Sequence, residues 1–256
     1  MPADPNAPRS RRAAARRRIE ERRAAEAAAR ARADRRRRTL LGGVVGALVV
    51  LVALVVVIVV QTHRTSTAAA AAAPPGATDD VFVVGSASAP VTVDLYEDFQ
   101  CPNCKAFEAE SGSTLAQLIA AGSVQAHYHG MAFLDTSANG KYSTRALNAA
   151  AAVVAAGGPA AFQTFHDLLF THQPAEGGSG LTDDQLVKYA VQSGADAGVA
   201  AADVEQRTYG DWVKKSTDRA SKDGVTATPT VVVDGKTLSD LTAAGLTAAV
   251  TAAQSR

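Results

Sequence analysis

Cys101, Pro102, Asn103 and Cys104 place two thiols three residues apart, and they are the chain's two cysteines in 256 residues. Two thiols at that spacing meet across one helical turn, where they can close and reopen a disulfide. Pro102 suits the first position of a helix, because no N–H partner is needed there. Cys101 then precedes the helix, where free amides and the positive end of the helix dipole favour a thiolate. Cys104 is the more buried partner in this reading. Two other chemistries compete. A zinc site would need its remaining donors from His127, His129, His166 or His172, and His127 and His129 share one strand face from which both cannot easily reach the motif. A static structural disulfide would close only a four-residue loop and constrain little chain entropy. Reversible redox exchange is the stronger reading, and it calls for no cofactor and no metal.

The flanking sequence supplies the elements that would position such a pair. Val81–Val84 and Val91–Tyr96 read as strands rich in β-branched residues, and the second delivers the chain to Cys101. A helix follows to about Ala121 and is ended by Gly122; Ser123–His129 alternates as a third strand. Helices are expected over 141–156, 159–172, 182–193 and 202–222, separated by Gly157-Gly158, a loop at 174–180 and Gly194. Thr182 and Gln185 have the spacing of a capping box. Thr230–Val233 and Lys236–Leu238 then read as a hairpin turned by Asp234-Gly235, with Ser239 and Asp240 capping a final helix to about Ala253. Pro229, after Thr228, opens the hairpin's first strand, where a proline marks an edge or a cis bond. Phe162, Phe165, Phe170, Tyr209 and Trp212 recur at helical spacing and read as core. His166 and His172 read as surface residues and Lys105 as solvated, while Asp98 and Gln100 are placed to shape access to Cys101.

Charge fixes the organisation of the rest. The formal net charge of +1 hides a segregation. Residues 1–38 carry fourteen arginines against five acids, a net +9, and residues 61–256 carry a net −8. Between them Leu40–Val60 is uncharged and apolar, 21 residues long. As a helix it would span about 30 Å, the hydrocarbon thickness of a bilayer. The arginines on its N-terminal side put 1–39 in the cytoplasm and the C-terminal domain outside, a single-pass plasma-membrane topology. A cleavable signal peptide is the competing reading, with Ala68–Ala73 as its small-residue cleavage region; the apolar run and its leader are longer than is usual for one, and both readings place the C-terminal domain outside the cytoplasm. The arm would meet anionic lipid; no aromatic residue precedes Phe82 to stack on bases, so no nucleic acid is expected. Residues 61–79 form a small, polar, disordered linker, and 80–256 suffice for one domain.

Taken together, Ala89–Val93 leading to Asp98-Phe99-Gln100-Cys101-Pro102-Asn103-Cys104-Lys105, and Thr228-Pro229-Thr230 before Asp234-Gly235, resemble the DsbA-like branch of the thioredoxin superfamily. The resemblance covers about residues 81–253. It implies an α/β thioredoxin fold with a helical insertion at about 141–222. It implies Cys101 as exposed nucleophile, Cys104 as resolving cysteine, and a cis Thr228–Pro229 bond whose Thr228 backbone receives an extended substrate. The activity implied is thiol:disulfide oxidoreduction on exported thiol proteins, with a membrane, quinone-linked partner to re-oxidise the pair. A reductase or isomerase, and a peptide-holding chaperone without redox turnover, are the alternatives. Two departures stand out. Relatives place an acid six residues before the first cysteine, where this chain has Leu95; Glu97 shares its strand parity and stands in, with Asp98 beside it. Asn103 carries no charge where strongly oxidising members have histidine, so this protein is expected to oxidise less strongly.

Overall fold

The computed structural model describes residues 72–256. The basic arm, the apolar segment 40–60 and most of the linker lie outside the described residues, and with them the expected transmembrane helix. The described chain runs β1 (Phe82–Val84), β2 (Val91–Glu97), α1 (Pro102–Phe107), a π-helical turn (Glu108–Gly112), α2 (Ser113–Ala120) and β3 (Val124–Gly130). Four helices follow: α3 (Tyr142–Thr171), α4 (Asp183–Gln192), α5 (Ala197–Gln206) and α6 (Gly210–Lys222). The chain ends with β4 (Thr230–Val233), β5 (Lys236–Thr237) and α7 (Ala243–Gln254).

The strands form one sheet in the order β1-β3-β2-β4-β5. β2 and β3 are parallel, joined across α1 and α2, and the other pairings are antiparallel. Period-2 alternation puts Val91, Val93, Leu95 and Glu97 on one buried face of β2. The carboxylate of Glu97 therefore enters the core in line with three apolar side chains. Phe82, Phe162 and Trp212 stack in tilted pairs between β1 and the helical block, and the five aromatics expected in the core are all buried.

Several local expectations hold in the backbone. Thr182 and Gln185 form the reciprocal capping box of α4. Asp234 and Gly235 both take positive φ, 49° and 77°, as a two-residue hairpin turn requires. The two helices expected either side of Gly157-Gly158 are one kinked helix. Gly158 adopts φ 74°, ψ −172°, because a residue before proline is pushed out of the helical region and Pro159 resumes the helix. Elsewhere the backbone departs from the expected pattern. The helix expected over 202–222 is two, parted where Arg207 takes φ 55° and its guanidinium reaches Asp183, 2.6 Å away. α5 begins earlier, capped by the Asp196 carboxylate on the Val199 amide. α7 begins later, capped by the Thr242 hydroxyl on the Gly245 amide, while Asp240 instead accepts from Thr242.

Candidate active site

β2 carries the chain inward to Glu97, and the turn at 98–100 then redirects it into α1. Asp98 and Gln100, expected to shape access to Cys101, are fully buried and work from beneath. The Asp98 carboxylate accepts from the Gln100 amide, the Leu134 amide and the Ser143 hydroxyl at 2.9, 3.0 and 2.7 Å, and its own carbonyl accepts from the Cys101 amide. Burial raises its pKa to about 6 despite those donors. Gln100 donates to the carbonyls of Ala175 and Gly178 and accepts from Asn139. The loop before the dithiol is thus pinned to the helical insertion, as is Cys101 itself, whose carbonyl accepts from Gln173 Nε2 at 2.9 Å.

Cys101 occupies the cap position of α1 with extended backbone, and Pro102 follows as its first helical residue. Pro102, Asn103 and Lys105 are exposed; both cysteines are free thiols, and Cys104 is completely buried. Cys101, expected exposed, is only 6% exposed, because the Thr228–Pro229 segment crosses over it. Its Sγ lies 3.3 Å from the Thr228 carbonyl, which accepts from the thiol, and the Thr228–Pro229 bond is cis. The two thiols differ sharply in acidity. Cys101 is lowered to about 5, first by the hydrogen bond from the Cys104 thiol, then by the Thr228 side chain and the amides of Cys104 and Asn103, against the opposing effect of burial. Cys104 is driven far above the thiol range by burial, by its bond to Cys101 and by the negative charge of Glu97. The helix amides expected to favour the thiolate do so, but they rank behind the neighbouring thiol.

An open groove of about 610 Å³ runs beside the cis bond, lined by Asn103, Phe107, Glu110, Thr228, Pro229 and Leu241 among others. The predicted site residues therefore converge on one place: Cys101 under Thr228, with Asn103 and Pro229 sharing the groove. Glu97 and Asp98 do not line the groove; both act on the buried Cys104.

His166 corrects the sequence reading. It is buried, 3% exposed, with Nε2 3.0 Å from Glu97 Oε2 and its ring edge-on to Tyr128 and Phe170. The pKa rises to about 10: burial opposes the charge, but Asp167, Glu108 and Glu97 outweigh it. Its position four after Phe162 and four before Phe170 put it on the apolar stripe, which was the signal for burial. Glu108, unremarked in the sequence, sits four residues after Cys104 at the start of the π-helical turn that continues α1. Burial first, then the charge of Glu97, raises it to about 8. The other zinc donors considered, His127 and His129, pair with Asp94 at 3.3 and 3.1 Å rather than with either cysteine, while His172 is exposed as expected.

Residues 77–252 match a family described as Thioredoxin. Serine/threonine-protein kinase PknE of Mycobacterium tuberculosis is 34% identical over 138 residues, 48% of this chain and 24% of the kinase, so the chain spans about a quarter of that relative's length. Disulfide bond formation protein D of Bacillus subtilis is 28% identical over 158 residues, covering 61% of this chain and 68% of the relative. Among solved structures, reduced DsbA of Mycobacterium tuberculosis superposes with a TM-score of 0.60 at 30% identity, covering 69% of this chain and 98% of that one.

Proposed function

The chain belongs to the thioredoxin family, and on that premise we propose that it is a DsbA-type thiol:disulfide oxidoreductase acting outside the cytoplasm on exported proteins. The observation that carries the reading is the split acidity of one dithiol: Cys101 down to about 5 and Cys104 far above the thiol range, in contact at the start of one helix. In the oxidised pair, a substrate thiolate attacks Cys101 Sγ, the S–S bond breaks, and Cys104 leaves and takes up a proton. A second substrate thiolate then attacks the substrate sulfur of the mixed disulfide, closing the substrate's own disulfide and releasing Cys101. Two electrons have passed to the pair. A low-pKa thiol leaves readily, so the second step is helped by the environment that stabilises the Cys101 thiolate.

Thr228 and Pro229 border the groove in which an extended peptide would lie, with Thr228 offering backbone to it. Asp98 holds the turn that presents Cys101, and the charge of Glu97 disfavours ionisation of Cys104. Pro102 and Asn103 present no charge beside the nucleophile. With no third cysteine, electrons must leave to an external acceptor, for which a quinone-linked membrane protein is the chemistry that fits. The +9 arm and the 21 apolar residues support a single-pass anchor, N-terminus inside. Trapping the in vivo state of Cys101 and Cys104 by alkylation tests the direction: a mostly oxidised pair supports the oxidase, and a mostly reduced pair assigns a reductase or isomerase. Cys101→Ala should abolish oxidative refolding of a reduced substrate. If that variant still kept an unfolded substrate from aggregating as well as the wild type, and the wild type oxidised no substrate, the domain would instead be a peptide-holding module.

A further inference from the structure

Glu97, Glu108 and His166 come together from three different elements: the end of β2, the π-helical turn and the kinked helix α3. One ligand atom from each lies within 4.8 Å of the other two. Glu97 is 6% exposed, and its Oε1 has no hydrogen-bond partner; Glu108 Oε1 is likewise buried and without one. Two orphaned carboxylate oxygens are costly in a low-dielectric interior unless something positive sits between them.

The surroundings say what would fit. His166 directs Nε2 toward Glu97, while its other ring nitrogen, Nδ1, lies 3.5 Å from the Asp167 carboxylate. A carboxylate behind a histidine is how metal-ligating imidazoles are held in orientation and made more basic. Gly112 shapes the opposite wall: a Cβ there would stand 2.5 Å from Glu108 Oε2, so the missing side chain is what lets this carboxylate fold inward. The wider helical turn at 108–112 is of a kind found at functional sites. A cavity of about 350 Å³, lined by Glu108, Gly112, Lys105, Gln163 and Asp167 among others, reaches the Glu108 side of the cluster. Two carboxylates and one imidazole balance the charge of a divalent cation.

We propose that Glu97, Glu108 and His166 form a binding site for a divalent first-row transition metal of the zinc, cobalt or manganese class, with Asp167 as the positioning residue behind His166. One nitrogen and two oxygen donors suit these ions. The site shares Glu97 with the surroundings of Cys104 but uses no sulfur ligand, so metal uptake by a thiol-free variant is read apart from the redox reading.

The test uses the full chain in detergent with Cys101→Ser and Cys104→Ser, so that sulfur cannot bind the metal. Titration with Co²⁺ alone should give one equivalent bound, with visible d–d bands and no sulfur-to-cobalt charge-transfer band. Glu108→Gln, checked for folding by circular dichroism, should weaken binding at least about tenfold. Asp167→Asn, on a largely exposed side chain, should weaken it about 10- to 100-fold with circular dichroism unchanged, in the range of losses seen for outer-shell partners. His127→Ala with His129→Ala should leave it unchanged. No stoichiometric uptake would overturn the site and assign the two carboxylates a shared proton instead. Uptake that survives both Glu108→Gln and Asp167→Asn, or that is lost with His127 and His129, would overturn it equally.

Discussion

Removing the Cys104 thiol should make Cys101 a weaker acid, and the structure sets the size of the effect. A Cys101 pKa of about 5 means that the residue is almost entirely thiolate at pH 7, whereas an unperturbed thiol is ionised to a few per cent, a difference of several tens-fold. That advantage nearly vanishes in an absolute rate. Intrinsic nucleophilicity falls with pKa at a Brønsted slope of about 0.4–0.5, so a shift of about four units costs roughly 60-fold. A single rate at pH 7 would therefore be uninformative, and the pH profile is the quantity to measure. Iodoacetamide alkylation of the reduced protein should rise through a midpoint near 5 and be flat above about pH 6. Cys104 does not intrude, because burial keeps it protonated across this range. Its hydrogen bond is the largest of the effects that lower Cys101. A hydrogen bond to a charged group is worth about 1.5–3 kcal/mol, which is about 1–2 pH units. In Cys104→Ala the midpoint should accordingly move up by that amount, with thiolate absorbance near 240 nm following it. A wild-type midpoint above 7, or an unmoved midpoint in Cys104→Ala, would refute the assignment of Cys101 acidity to its neighbour.

The same shift has a thermodynamic signature. Cys101 is depressed in the folded reduced protein, so its contribution to stability is complete above the unfolded thiol value near 9 and is lost as pH falls toward 5. The stability of the reduced over the oxidised form should therefore grow by about 2 kcal/mol between pH 5 and pH 7, and a gap in melting temperature that does not widen would contradict it. Asn103→His should make the protein more oxidising by adding a cation beside the thiolate; the wild-type potential, by glutathione equilibration, should be more negative than about −120 mV. Gly130→Ala would drive a methyl into the Leu147 side chain and should cost about 1–3 kcal/mol in urea unfolding, and a neutral result would mean that this wall yields. Thr182→Ala removes the α4 cap and should cost about 1 kcal/mol in the same assay.

What the sequence made legible was the local chemistry. Pro102 after Cys101 announces a helix start, Asp234-Gly235 a hairpin and Thr182 with Gln185 a cap, because each is decided within a few residues. The rest depended on partners far along the chain. Arg207 breaks a helical run three residues before its glycine, Gly210, and its αL turn brings its guanidinium to Asp183, 24 residues away. The burial of Asp98 and Gln100 depends on Leu134, Asn139, Ser143 and the 175–178 loop, none of which is visible from the motif. His166 was misplaced for a different reason. Its polarity outweighed its phase on the Phe162–Phe170 stripe, and the buried acid that reconciles the two lies 69 residues earlier.

The start of the domain is fastened in one particular way. Trp212 Nε1 donates to the Asp79 carbonyl at 2.7 Å, Ser216 donates to the Asp80 carbonyl, and Arg219 reaches the Asp80 carboxylate at 3.2 Å. All three anchors stand on α6, the last helix before the Thr228–Pro229 segment. Tension arriving along the linker would thus load α6 first rather than peel β1 from the sheet edge. The clamp makes α6 the mechanical root of the domain, and the residues just past it are those that cross over Cys101.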